Sequence, residues 1–186
     1  AHVASWLHQR HSRKIAKAET PLELISSFPV GEDVAILCIS AGGRNKDILG
    51  AFQCLIEREP RELAILCAKV NSPLGKVARR YPFVNLLELD LPTGKDGFLA
   101  TNSLLAFSII LIRAYAAAFQ QKDNLPQQLA QLLGFPSRFS EIRDRLRNSC
   151  LGLWEKETLV VLHSSSTRSA ALDLESKFTE AALGNT

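Results

Sequence analysis

Residues 34–49 read VAILCISAGGRNKDIL. Val34 to Ile39 is an unbroken run of β-branched and other apolar residues, the composition of a fully buried strand. The run stops at Ser40, passes through Ala41, Gly42 and Gly43, and gives way to Arg44, Asn45, Lys46 and Asp47. From Asn45 to Glu59 the apolar residues Ile48, Leu49, Phe52, Leu55 and Ile56 recur at helical spacing, and Pro60 ends the stripe. Strand, small-residue loop and helix in succession make the building block of a parallel sheet.

The pattern extends in both directions. Leu63 to Val70 (LAILCAKV) predicts a second buried strand, and Ser72 to Arg80 a short helix with Ser72 as N-cap and Pro73 at the first helical position. Val84 to Leu91 (VNLLELDL) predicts a third strand with Glu88 and Asp90 near its end. A loop with Pro92, Gly94 and Gly97 follows, then a long helix to Gln121. Leu125 to Leu133 and Phe139 to Leu151 read as helices, Thr158 to His163 (TLVVLH) as a new strand, and Arg168 to Leu183 as a last helix. Upstream, Val3 to Lys17 reads as a helix, Pro21 interrupts it, and Leu22 to Ser27 is a short turn of helix or a loop.

Strands of this composition alternating with helices predict an α/β fold, a parallel sheet covered on both faces, with right-handed crossovers. Ligands of such sheets sit beyond the carboxyl ends of the strands. The loops at issue are Ser40–Asn45, Lys69–Ser72, Thr93–Thr101 and Ser164–Arg168. The serine-bearing turns at Ser40 and Ser164 hint at a distant internal duplication.

Bulk properties narrow the function classes. Of 186 residues, 46% are hydrophobic and 22% charged, a globular and not a disordered composition. The formal net charge of +3 suits an anionic small molecule and lacks the strong basic bias of a nucleic-acid binder. The cysteines Cys38, Cys54, Cys67 and Cys150 form no CxxC pair and no Cys/His cluster with metal spacing, so zinc is not expected. A reducing, cytoplasmic compartment is the expectation. The apolar stretch Phe98–Ile112 is short for a membrane span and reads as a buried helix. No secretory signal is visible. The first residues read as mid-helix sequence without a start signal, as though the chain begins inside a domain.

Three segments could carry chemistry. In SAGGRNKD, Gly42 and Gly43 allow positive φ and close approach of a ligand, and the following helix start offers N–H groups and a positive dipole end. Ser40 and Asn45 could add hydrogen bonds, and Arg44 or Lys46 charge. The pattern is neither GxxxxGK[ST] nor GxGxxG. A plain strand-to-helix turn and an anion cradle both remain open on these residues. Second, Asp173, Lys177 and Glu180 share one helix face. That spacing describes either a solvated face with a helix salt bridge, or a Glu base beside a Lys that holds an anion or a carbonyl. Third, KDGFLATNS (Lys95–Ser103) leads a polar loop into the long helix, where Thr101, Asn102 and Ser103 are ligand groups or simple caps. His2, His8 and His11 read as surface residues and His163 as a strand-end residue. No Ser/His/Asp order or G-x-S-x-G elbow is present.

Together these segments resemble the SIS (sugar isomerase) family, in particular the tandem SIS pair in the isomerase half of the glucosamine-6-phosphate synthase family. The family's phosphosugar loop has the form S-x-S-G-x-T-x-D. Ser40-Ala41-Gly42-Gly43-Arg44-Asn45-Lys46-Asp47 matches it at Ser40, Gly43 and Asp47, with Gly42 and Asn45 where the family uses Ser and Thr. The Gly94–Phe107 stretch is similar to the second loop and long helix. The family helix A-L-E-x-x-x-K-x-x-E corresponds to Ala171-Leu172-Asp173-Leu174-Glu175-Ser176-Lys177-Phe178-Thr179-Glu180.

The resemblance implies a three-layer α/β/α sandwich of flavodoxin-like topology, with a first SIS domain over residues 1–152 that lacks its first strand and loop. Residues 153–186 would begin a second SIS domain. It implies binding of a sugar phosphate or other carbohydrate derivative by Ser40, Gly42, Gly43, Arg44, Asn45, Thr101 and Ser103. Catalytic Lys177 and Glu180 would carry out aldose–ketose isomerisation, or a related deamination or deglycation, through an enediol. It further implies a homodimer; no cofactor, no metal, and no nucleic-acid or membrane partner are expected. A non-catalytic sugar-phosphate sensor is the alternative, favoured by the two absent loop hydroxyls. A nucleotide-binding flavodoxin-like module would leave the Lys177/Glu180 match unexplained.

Overall fold

Three of the apolar runs pair side by side. In the computed structural model, which describes residues 1–27, 33–91, 101–122, 124–128, 131, 139–153, 156 and 158–183, they are β1 (Ala35–Ser40), β2 (Glu62–Cys67) and β3 (Val84–Glu88). They form one parallel sheet in the order β1-β2-β3. The register sets Ile36 beside Leu63, Cys38 beside Ile65 and Ser40 beside Cys67. It then sets Leu63 beside Val84, Ile65 beside Leu86 and Cys67 beside Glu88. Strand side chains alternate between faces, so these nine residues share one face. Its rows are apolar until the carboxyl edge, where the last row is Ser40, Cys67 and Glu88.

Two helices cover that face. Helix α3 (Lys46–Arg58) buries Ile48, Ala51, Phe52 and Leu55, and α4 (Pro73–Ala78) buries Leu74, Gly75 and Ala78. Their apolar residues join Cys38, Leu63, Ile65 and Cys67 in one core. Phe52 also meets the edge of Tyr81, ring centroids 6.1 Å apart. Cutting a buried Phe back to Ala typically costs about 3–5 kcal/mol, so this layer dominates the stability of the segment. Upstream, α1 (His2–Ser12) precedes α2 (Pro21–Ser27). Leu24 of α2 joins the same core, and its carbonyl accepts from Arg58 Nη1 at 3.3 Å.

Local chemistry sets the helix ends. The Asn45 side-chain oxygen accepts from the N–H groups of Asp47 (2.7 Å) and Ile48 (3.4 Å), capping α3. At its other end Glu59 turns left-handed (φ 45°) just before Pro60. Ser72 caps α4, with Pro73 at its start, as expected. Helix α1 stops short of the expected Lys17 because Arg13 turns left-handed (φ 58°) and its N–H bonds to the Gln9 carbonyl.

The other face of the sheet is more open at its edge strands than at its centre. The apolar runs predict strands buried on both sides, but Leu37 of β1 is 41% exposed and Leu87 of β3 49%. Only Leu66 of the central strand is deeply buried there.

The chain divides into two compact units, Ala1–Ile112 and Arg113–Thr186, and the division falls inside helix α5 (Asn102–Ala118). Helix α5 buries Ser103, Phe107, Leu111 and Ala116. The second unit contains α6 (Phe139–Cys150), a 3-10 turn (Leu151–Leu153) and α7 (Arg168–Leu183). The expected helix at Leu125–Leu133 does not begin as expected: residues 125–128 are coil and bend, with Pro126 lacking the N–H a helix would use, while 129, 130, 132 and 133 and the loop 92–100 lie outside the described residues.

The expected strand Thr158–His163 is a correction: these residues join no sheet. Leu159 and Val161 are each 41% exposed, while the intervening Val160 and Leu162 are 76% and 91% exposed. An apolar alternating segment has strand propensity, but a strand exists only through its ladder, and no described strand lies alongside. The hinted duplication therefore lacks its second strand-loop-helix unit.

Candidate functional site

The loop after β1 sits where a parallel sheet presents its ligand groups. Ser40 closes the strand, and its Oγ accepts the Gly43 N–H at 3.1 Å. Gly43 is left-handed, φ +59°. A Cβ on it would lie 2.7 Å from Ser72 Oγ, 2.8 Å from Ser72 Cβ and 3.1 Å from Leu74 Cβ. Its carbonyl accepts the Leu74 N–H at 2.8 Å. Gly43 is thus required by the neighbouring βα loop, whose start packs into the space a side chain would fill. Gly42 is different: an added Cβ meets only the Arg44 side chain, at 3.4 Å and beyond.

Arg44, Asn45 and Lys46 are exposed at the amino end of α3. The Asn45 oxygen is engaged in capping, so the N–H groups of Asp47 and Ile48 are already partnered. Groups that could meet an anion include the Gly42 backbone, the Ser40 hydroxyl as a donor, and the cationic side chains of Arg44 and Lys46, aided by the helix dipole.

The second βα loop, 68–72, is organised by a buried carboxylate. The Glu88 side chain, 5% exposed, lies at the carboxyl end of β3. Its Oε1 accepts from the Ser72 N–H (3.0 Å) and the Ser72 hydroxyl (2.8 Å). Its Oε2 accepts from the Asn71 N–H (3.1 Å) and pairs with the Arg79 guanidinium. Arg79 also reaches Asn71 Oδ1 at 3.2 Å, and Asp90 accepts the Val70 N–H at 3.2 Å. Burial pushes the Glu88 carboxyl up. The bonds from the Ser72 side chain and from the Ser72 and Asn71 backbone, with the Arg79 charge, outweigh it and hold the pKa below the ordinary value. Glu88 went unassigned in the sequence reading. Its signal was an acidic residue ending an apolar strand, opposite a Ser-Pro helix start.

The other expected site residues fall elsewhere. Thr101 is exposed ahead of α5, its carbonyl accepting the Leu105 N–H at 3.0 Å, and Ser103 is buried in the first turn of α5. In the second unit, α7 does place Asp173, Lys177 and Glu180 on one face: Lys177 Nζ is 3.3 Å from Asp173 Oδ1 and 3.8 Å from Glu180 Oε2. The Ser176 hydroxyl donates to Glu180 Oε1 at 3.0 Å. A groove of about 620 Å³ in the same unit runs along a different face of α7, lined by Leu159, Val161, His163, Leu172, Glu175 and Phe178 among others, not by Lys177 or Glu180. His163 is exposed, its Nδ1 3.2 Å from the Ser164 carbonyl.

The loop and the Lys177/Glu180 face thus belong to separate units. Among the described residues, no group of three or more His, Cys, Asp or Glu is arranged to hold a metal ion, and no helix is long and apolar enough to cross a membrane. No protein-family model and no curated protein matches the chain.

Proposed function

We propose that this chain binds a sugar phosphate, or a similar anionic carbohydrate derivative, at the loop 40–46. The observation that carries the reading is the loop itself. Ser40, a left-handed Gly43, and exposed Arg44 and Lys46 stand together at the carboxyl edge of a parallel sheet and the amino end of α3. Phosphate is favoured there by backbone donors, dipole and cationic side chains acting on one small region. Arg44 and Lys46 take over the role that hydroxyl ligands play in the resembled SIS loop. The SIS topology, the three-layer sandwich, the SIS domains 1–152 and 153–186, a homodimer and a cytoplasmic setting all belong to this proposal, as do Thr101 and Ser103 as substrate contacts.

In its catalytic form the proposal assigns aldose–ketose isomerisation, or a related deamination or deglycation. Glu180, beside Lys177, removes the proton from the carbon next to the carbonyl. Lys177 stabilises the charge that develops on oxygen as the enediol forms, and the proton returns to the adjacent carbon.

A non-catalytic sugar-phosphate sensor is the second reading. It is favoured by Lys177, already shared between two carboxylates, and by Glu180, already bonded to Ser176. A thermal-shift panel of hexose and pentose phosphates tests the binding. Glu180→Gln then separates the two readings: loss of turnover with binding kept supports the enzyme, and binding without turnover in the wild type supports the sensor. No shift with any phosphosugar removes both.

A further inference from the structure

We propose that Glu88 is a positioning residue for the 40–46 loop, and that the two βα loops act as one shaped unit built on its carboxylate. The inference rests on the reading of 40–46 as the ligand loop, and deepens it.

The register places Ser40, Cys67 and Glu88 side by side on the face that α3 and α4 cover. Each ends its strand, and each turns its side chain to a loop. Ser40 holds the Gly43 N–H, Cys67 Sγ is 3.9 Å from the Ala41 carbonyl, and Glu88 holds Asn71 and Ser72. The two outer residues are linked through Ser72. Its hydroxyl donates to Glu88 and accepts the Gly75 N–H at 2.9 Å, while its side chain occupies the space beside the bare Cα of Gly43. The Leu74 N–H, two residues on, bonds to the Gly43 carbonyl. The left-handed turn that shapes the ligand loop is therefore braced against a residue that Glu88 holds by two hydrogen bonds.

Glu88 is closely fitted to this task. A Cβ on Gly75 would come within 1.9 Å of Glu88 Oε1, so the first turn of α4 carries a glycine where the carboxylate must pass. Four donors converge on the two oxygens, three of them from the segment 71–72. A glutamine here keeps the volume but turns an N–H₂ group toward a donor and loses the Arg79 pair. The expected outcome is a second loop that relaxes, and a Gly43 turn that loses its brace.

The test uses the full chain. Amide ¹⁵N–¹H spectra of Glu88→Gln, with far-UV circular dichroism as the folding control, should show shifted or broadened resonances for Ala41 to Arg44 while the middle of α3 is unchanged. Affinity for fructose 6-phosphate should fall about tenfold, as is common when a partner that orients ligating groups is lost. Ser72→Ala cuts the link at its midpoint, keeps the backbone bonds to Glu88, and should move the same resonances. It also serves as the decisive variant if Glu88→Gln does not fold. Unmoved Ala41–Arg44 resonances in the folded variants would overturn the inference even if the wild type binds the sugar phosphate. Moved resonances in a chain whose wild type binds no phosphosugar would support the coupling and defeat the ligand reading.

Discussion

Changing Gly43 and Gly42 one at a time to alanine separates backbone necessity from ligand access. At Gly43 the backbone is left-handed, which costs an L-residue about 1–2 kcal/mol. The new methyl group would also sit 2.7–2.8 Å from the Ser72 side chain and 3.1 Å from Leu74 Cβ, all in a packed region where neighbours have little room. Overpacking of that kind adds about 1–3 kcal/mol, for a total of about 2–5 kcal/mol. At Gly42 no positive φ is required and the nearest atom is the flexible Arg44 side chain. The change there should alter stability by less than about 1 kcal/mol. Urea denaturation followed by circular dichroism reads the difference. With a slope of about 1–3 kcal/mol/M, Gly43→Ala should lower the midpoint by about 0.7 M or more, and Gly42→Ala by clearly less. Equal midpoints for the two variants would refute the claim that Gly43 is held by the second loop. If the ligand reading is right, Gly42→Ala should still weaken sugar-phosphate binding, because it crowds the part of the backbone that stays open.

Three further outcomes are expected. Asn45→Ala removes the α3 cap and should cost about 1 kcal/mol, whereas Asn45→Asp keeps the cap and stability but repels an anion, so thermal shift by fructose 6-phosphate should shrink in Asn45→Asp. The Glu88 pKa is held below its ordinary value of 4.5, so its contribution is complete above that pH and is lost as pH falls through the lower folded value; the stability gap between wild type and Glu88→Gln should close on acidification, measured by urea titrations from pH 7 to pH 3. Burial pushes the Cys38 thiol up to about 11, so a disulfide reagent at pH 8 should label Cys54 and Cys150 in the folded chain and leave Cys38 for the unfolded one, which peptide mass mapping checks.

Local patterns carried much of the fold. The β1, β2 and β3 runs, the stripe of α3 and the Ser72-Pro73 start of α4 were legible because each depends on neighbours within a few residues. The shared face of Asp173, Lys177 and Glu180 was legible too, since a helix places residues three and four apart together whatever surrounds it. Spacing could not tell whether that face meets a ligand.

Thr158–His163 marks the limit of this kind of reading. Its residues favour extended backbone, but a strand needs a partner, and partners come from distant parts of the chain. Leu37 and Leu87 show the same limit: an apolar residue at a strand position does not say whether anything covers it.

The sequence by itself determined that a glycine-bearing loop joins a strand to a helix, and which polar residues stand on it. Tertiary structure alone decided that Gly42 and Gly43 differ in kind, one open and one packed against Ser72, and that Ser72 is bonded to the Glu88 carboxylate. The physical reason is register. Ser40, Cys67 and Glu88 are far apart in the chain, and only the parallel pairing of three strands brings them into one row.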